Sequence, residues 1–239
     1  MFKGLLSLFL KFPCPLCQRP AEANICLYCQ KQLQSFQLHN PSRWWCGNLP
    51  VFSWGIYDGK LKRAIATMKY DRQPEIGRIL GQWLAKSWQE AHLVDNSKNS
   101  IVVPIPLAPT RLKARGFNQA TAIAQSFCQE TGYSLQPQGL IRVRETQPMF
   151  NLAAHQRQEN IQQAFRVGNN WQQKTLGSKK VSLERSPIAS LKPKSPVLLL
   201  DDIYTTGTTV KEAARVLRQQ GIEVFGVVVA ARAISGNNY

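Results

Sequence analysis

Hydrophobic positions along the chain fall into two recurring patterns, short apolar runs and stripes of helical period, and their alternation sets the fold class. Residues 51–58 (VFSWGIYD) read as a strand, and two helices are expected after it, the second marked by Ile76, Ile79, Leu80, Trp83 and Leu84 at i, i+3, i+4, i+7 and i+8. Residues 101–103 (IVV) form a second core strand ended by Pro104 and Pro106, and Ala120, Ile123, Ala124 and Phe127 stripe the next helix, with Cys128 beside them as a core residue. LIRVR (140–144) and AFRVG (164–168) are two further strand-like runs. VLLL (197–200) lacks alternation, as a strand covered on both faces does, and Val210, Ala213, Ala214 and Leu217 then return to helical spacing. VFGVVVAARA (224–233) is a buried last strand. Strands alternating with helices predict an α/β fold with a mostly parallel sheet flanked by helices.

Candidate chemistry gathers where VLLL ends. The chain continues Asp201-Asp202-Ile203-Tyr204-Thr205-Thr206-Gly207-Thr208-Thr209, so two carboxylates precede a hydroxyl-rich turn that opens a helix. Free N–H groups and partial positive charge at a helix N-terminus suit a phosphate, and threonine hydroxyls add donors. The carboxylates accept hydrogen bonds from hydroxyls. Together they describe a site for a ribose 5-phosphate. The plainer alternative is that the acids cap the following turn, which needs one acid and leaves the threonine cluster unexplained.

This segment resembles the PRPP-binding signature of type I phosphoribosyltransferases. Residues 102–119 (VVPIPLAPTRLKARGFNQ), 145–165 (ETQPMFNLAAHQRQENIQQAF) and the paired CPLC and CLYC knuckles resemble the ComF (ComFC) family, linked to DNA uptake in natural competence, over nearly the whole chain. The resemblance implies that phosphoribosyl pyrophosphate (PRPP) binds with Mg²⁺, with Asp201 and Asp202 on the ribose hydroxyls and Thr205, Thr206, Gly207, Thr208 and Thr209 on the 5-phosphate. It also makes the loop carrying Arg111, Lys113 and Arg115 a pyrophosphate loop, with Arg111 and Arg115 as the contacts, since guanidinium forks suit oxyanions. An exposed charged face is the alternative for that run. Residues 145–165 match the mobile loop that closes over PRPP. There Gln147, Arg157 and Asn160 fit the family pattern, Arg157 is the candidate closing cation with a catalytic role beside Asp201 and Asp202, and His155 is a weaker candidate; a solvated helix is the alternative. Transfer of the phosphoribosyl group to an acceptor is the implied activity, and no residue identifies the acceptor.

Cys14, Cys17, Cys26 and Cys29 form C-x2-C-x8-C-x2-C, a spacing that lets four thiolates converge on one structural Zn²⁺. Disulfides are the alternative, disfavoured without a secretory signal. Residues 1–10 hold seven large apolar side chains but are too short to span a bilayer, and no cleavage site follows. The expected division is a zinc-binding unit with an apolar leader at 1–50 and a phosphoribosyltransferase-like domain at 51–239. No segment reads as transmembrane, and the cytoplasm is the expected location.

Charge adds a second hypothesis. Thirty Lys and Arg against fourteen Asp and Glu give a net charge of +16, which favours anionic partners. Residues 171–195 carry six cations against Glu184, with serines and prolines, and read as a flexible basic insertion. Trp44 and Trp45 look exposed, so base stacking with backbone neutralisation suggests single-stranded DNA, and through the family the DNA-uptake machinery, as partners. In this alternative the protein is a non-enzymatic DNA-binding competence factor and the PRPP pocket only a ligand sensor. Core packing is the usual role of Trp. No P-loop or dinucleotide fingerprint is present, which disfavours ATP hydrolysis and nicotinamide chemistry.

Overall fold

The structure, a computed structural model, describes residues 12–93, 100–145, 161–168, 171 and 195–234. Its centre is a five-stranded sheet in which every pairing is parallel, as the alternation of strands and helices predicts. In chain order the strands are β3 (Val51–Ile56), β4 (Ile101–Pro104), β5 (Ser134–Leu135), β8 (Val197–Tyr204) and β9 (Val224–Arg232), and in space they run β3-β9-β8-β4-β5. Two small antiparallel pairs stand apart, β1 (Phe12–Pro13) with β2 (Pro20–Ala21) and β6 (Leu140–Arg142) with β7 (Phe165–Val167).

The period of two along the central strands divides the core. Leu198, Leu200, Val228 and Ala230 face one layer, with α2 (Gly59–Tyr70), α3 (Pro74–Glu90) and α5 (Gln119–Thr131). Val197, Leu199, Val227 and Val229 face the other, with α6 (Thr208–Gln219) and the β6-β7 pair. Both predicted stripes face the core: Ile76, Leu80 and Leu84 on α3, and Ala120, Ile123, Ala124 and Phe127 on α5, are fully covered, while Ile79 and Trp83 of the α3 stripe are half-buried against them. Gly81 brings these helices together, because a Cβ there would lie 2.3 Å from the Ile123 carbonyl oxygen. The sequence places Cys14, Cys17, Cys26 and Cys29 in a separate unit. Cys14 and Cys29, with Ile25 and with Leu33 of α1 (Leu27–Gln34), nevertheless share one hydrophobic cluster with Leu61 of α2.

Three expectations differ from the structure. β8 does not stop at Leu200, because β9 continues to pair with it through Asp201↔Val229 and Tyr204↔Arg232, carrying both acids into the sheet. The arginines expected on a loop after β4 stand on a short helix, α4 (Pro109–Arg115), which starts at a proline suited to a first helical turn. Trp44 and Trp45 are half-buried rather than exposed. Trp45 meets Trp88 edge-on at 5.0 Å and Trp44 lies 4.3 Å from the Arg232 guanidinium, so their rings serve internal packing.

Candidate functional site

A parallel sheet with helices on both sides leaves its ligand crevice at the carboxyl ends of the strands. Here that edge holds Tyr57 after β3, Asp201 to Tyr204 on β8, Arg232 on β9, and the turns that follow β4. The turn from β8 into α6 is set by Gly207, whose φ of 73° is open to glycine and whose absent Cβ would fall 2.2 Å from the Tyr204 hydroxyl oxygen. Tyr204 is backed by Arg232, which is sandwiched at 4.4 Å from that ring and 4.3 Å from Trp44. Thr206 and Thr208 share a 2.7 Å hydroxyl hydrogen bond, and α6 begins at Thr208 with its first N–H groups at the mouth of the turn. A small cavity is enclosed by Asp201 and the turn from Thr205 to Thr209.

Beside it lies a cavity of about 760 Å³ lined among others by Tyr57, Lys69, Arg111, Arg115, Gln119 and Asp202, with Thr205 and Thr209 at its border. The predicted Arg111 and Arg115 thus line the same cavity as Asp202, one of the two predicted acids. Lys113, between them, is exposed and does not line it. α5 is held to the end of β4 by Asn118, which donates to the Ile105 carbonyl at 3.0 Å and accepts from Ala120 N–H at 3.0 Å, and so delivers Gln119 to the cavity floor. Arg115 hydrogen-bonds Gln119. Glu145 accepts from Thr110 N–H at 3.2 Å, tying the segment after β6 to the start of α4.

Adjacent in sequence, the two acids are not equivalent in space. Strand alternation sends Asp201 toward the turn and the α6 layer and Asp202 into the layer of α2 and α5. Asp202 is buried, and burial opposes its charge, but the Lys69 ammonium, in a salt bridge with its Oδ2, outweighs burial and holds the carboxyl below the ordinary aspartate value. Burial likewise opposes the charge on Lys69, and Asp202 raises its pKa in spite of it. Asp201 accepts from Asp202 N–H at 2.8 Å, yet burial and then the neighbouring Asp202 charge push it well above the ordinary value. The pair is thus split, with Asp202 favoured as the anion and Asp201 biased toward the neutral form.

Sequence reasoning missed two cations here. Lys69 sits in a helix whose charged positions look solvent-facing, and its partner lies 133 residues later, so no local signal marks it. Arg142 on β6 is buried, and its pKa falls to about 10 through burial and then the nearby Arg111 charge, with Asp201 also within electrostatic reach. Gln147, His155, Arg157 and Asn160 lie outside the described residues, as do 172–194 of the basic insertion. Trp171, at the start of that insertion, is buried in the α6 layer.

The four knuckle cysteines bring their Sγ atoms within 4.8 Å of one another and can hold a metal ion such as zinc. Cys14 N–H donates to Arg19 O at 2.8 Å while Cys17 and Gln18 N–H turn back to Cys14 O, and Cys26 caps α1 so that Cys29 falls in its first turn. Against the burial that opposes it, N–H groups of Cys26, Leu16 and Cys17 draw the Cys14 thiol down to about 7, which suits a thiolate ligand. Among the described residues no helix is long and apolar enough to cross a membrane.

Residues 67–238 match the model of the phosphoribosyl transferase domain. Over its length the chain is similar to Competence protein F of Haemophilus influenzae, at 29% identity over 94% of this chain and 99% of that protein. It is also similar to DNA utilization protein YhgH of Salmonella typhimurium (28%, covering 92% of this chain and 84% of that one) and to Competence protein ComFC of Bacillus subtilis (24%, covering 87% and 72%). A parallel sheet carrying the acid pair and threonine turn at its ligand edge, a cysteine cluster ahead of it, and relatives that span both place this chain in the phosphoribosyl transferase domain family, as a ComF-family protein.

Proposed function

We propose that the protein binds PRPP as its magnesium complex and transfers the phosphoribosyl group to an acceptor, in the service of DNA uptake. The observation that carries this reading is the juxtaposition of the Gly207 turn at the head of α6, the two acids that precede it on β8, and Arg111 and Arg115 on the lining of the cavity that Asp202, Thr205 and Thr209 share. In this arrangement the turn N–H groups and the hydroxyls of Thr205, Thr206, Thr208 and Thr209 hold the 5-phosphate. Asp201 and Asp202 take the ribose hydroxyls, and Arg111 and Arg115 hold the pyrophosphate. Because Asp202 already faces Lys69, the acids fit a magnesium ion that arrives with the ligand. Bound there, the ion would offset charge on the departing pyrophosphate. The bond from the anomeric carbon to pyrophosphate breaks as the acceptor's bond forms, and the guanidinium groups stabilise the charge left behind. Arg157 is proposed as the closing cation. Calorimetric titration of the full chain with PRPP and Mg²⁺ should show one site, and a screen of acceptors should show pyrophosphate release with one of them. Absence of any binding would remove the reading. Zn²⁺ is the proposed metal of the four cysteines, with a structural role, since four thiolates leave no open position.

A second reading, direct binding of single-stranded DNA, is favoured by the names of the relatives and by one surface. Lys211, Arg215 and Arg218 recur at i, i+4 and i+7 along α6 and line a groove of about 710 Å³ with Cys46, Asn48 and Leu49. Arg218 Nη2 is fixed by the carbonyls of Asn48 and Val224, each at 2.7 Å, and Arg215 by Glu212 at 2.7 Å. If these three cations neutralise phosphates, the log-log salt slope of oligonucleotide binding should flatten by about 2 when all three become glutamine, at roughly 0.7 per phosphate. An unchanged slope would exclude this groove as the path.

A further inference from the structure

Gly207 has no side chain to cap α6, and the space that a side chain would fill is taken by Tyr204. A Cβ on Gly207 would lie 2.2 Å from the Tyr204 hydroxyl oxygen and 2.4 Å from the ring carbon that bears it, so the phenol end rests against the backbone of the threonine turn. That ring is itself held. The Arg232 guanidinium lies 4.4 Å from its centroid and 4.3 Å from that of Trp44, and both aromatic residues pack against the α6 layer. Tyr204 and Arg232 are partners in the β8-β9 register, and their backbones are pinned at the sheet edge: Ala233 N–H donates to the Tyr204 carbonyl at 2.9 Å, and Tyr57 N–H to that of Arg232 at 2.8 Å. Trp44 is anchored by Val51 N–H, which donates to its carbonyl at 2.9 Å. A column thus runs from Trp44, in the segment that the sequence assigns to a separate unit, through Arg232 and Tyr204 to Gly207.

We propose that Trp44 and Arg232 are positioning residues for the threonine turn, which clamp Tyr204 against Gly207 and so hold the turn's N–H groups ready for the 5-phosphate. This rests on the PRPP reading above and adds to it two residues from outside the turn, one of them ahead of the residues that match the phosphoribosyl transferase domain. A turn that must order itself around its ligand loses part of the interaction to that ordering. The column removes this cost before the ligand arrives. Arginine suits the middle position, because a planar guanidinium can lie between two rings, whereas an ammonium offers the same charge without the plane.

The test titrates the full chain with ribose 5-phosphate, which probes the turn, and with magnesium pyrophosphate, which probes the Arg111 and Arg115 end. The proteins are the wild type, Arg232→Gln, Arg232→Lys, Trp44→Leu, Trp44→Phe and the double variant Arg232→Gln with Trp44→Leu. Arg232→Gln and Trp44→Leu should each weaken ribose 5-phosphate binding by about 5- to 30-fold, the size of one cation-ring contact at a half-buried place. The double variant should lose much less than the product of the two, since both act through Tyr204. Arg232→Lys should lose nearly as much as Arg232→Gln, and Trp44→Phe, which keeps a ring, should stay within about 3-fold of the wild type. Magnesium pyrophosphate should bind every variant within about 2-fold of the wild type, as expected for a separate set of contacts. Ribose 5-phosphate affinity that is unchanged in Arg232→Gln and Trp44→Leu overturns the proposal, and so does an equal loss for both ligands, the mark of a purely structural role. Full rescue by Arg232→Lys overturns it as well, because charge and not the stack would then be at work. Should the Arg232 variants fail to fold, Trp44→Leu and Trp44→Phe decide the matter by the same comparison of ligands. All these outcomes leave PRPP binding standing. A wild type that binds pyrophosphate but not ribose 5-phosphate overturns the inference, and one that binds neither of them nor PRPP removes the PRPP reading, and the inference with it.

Discussion

Asp202→Asn is expected to destabilise the protein by about 3 kcal/mol or more, while Asp201→Asn, one residue away and chemically identical, is expected to be neutral or stabilising. Composition gives no reason for the asymmetry, since two adjacent acids at a strand end repel each other and loss of either charge should help. The difference comes from Lys69. Removing one partner of a buried ion pair strands the other, at a cost of about 3–5 kcal/mol, and Lys69 has Asp202 as its salt-bridge partner among the described residues. In a chain of this size that corresponds to a fall in Tm of roughly 6–12 °C. Asp201 is already biased toward its neutral form, so asparagine takes away a charge that the fold resists.

Linkage gives each acid its own signature. A carboxyl whose folded pKa is raised contributes stability that is complete below the unfolded value near 3.9 and is lost as pH rises toward the folded value. The wild type should therefore lose stability relative to Asp201→Asn as pH climbs above about 4. Asp202, whose folded value is lowered, works in the opposite sense, contributing above about 4 and fading as the solution becomes more acidic. Chemical denaturation of the three proteins across pH 3–8 measures both effects. Equal stability losses in the two variants would refute the asymmetry. Loss of ligand binding runs separately: each substitution should weaken PRPP binding by about 10- to 150-fold, the value of one charge-assisted hydrogen bond.

The second large effect is expected at the cysteine cluster. Purified protein should carry about one Zn²⁺ per chain, and Cys14→Ser should abolish it and lower the Tm by roughly 10 °C or more, because binding energy at a structural zinc is folding energy. Cys14 is fully buried and shares a cluster with Ile25, Leu33 and Leu61, so the damage should extend into α2 rather than stop at the knuckles. The Gly207 turn belongs to the opposite layer, through Val210 and Ala213, and should keep part of its phosphate affinity. Metal analysis and melting of wild type and variant decide the matter, and a metal-free wild type of full stability would end the zinc assignment.

What the sequence made legible was periodic or local. Ile76, Leu80 and Leu84, the α5 stripe and the unbroken VLLL run report burial through spacing alone, and Thr205 to Thr209 report a strand-to-helix turn through composition. Long-range pairing left no such trace. Lys69 reads as one of several cations on an amphipathic helix until Asp202 is placed beside it. The split of Asp201 from Asp202 follows from the two-residue period of a strand, but only once the strand is known to run through acids that a local reading places in a loop. Trp45 shows the same limit, since Trp88 and Phe225, which bury its edges, come from distant parts of the chain.

The order of strands in space also has a consequence for synthesis. β3, near the start of the chain, pairs in the sheet with β9, near its end, and β9 in turn separates β3 from β8. An emerging chain therefore exposes the apolar β3 segment for the time needed to add about 170 residues, roughly 10–30 s at ordinary ribosomal rates. The floor of the cavity forms just as late, because Lys69 waits on Asp202. Until then α2 and α3 can cover β3 on one side only, which makes this segment the natural client of a holding chaperone and the place where translation stalled before β9 would leave an aggregation-prone chain.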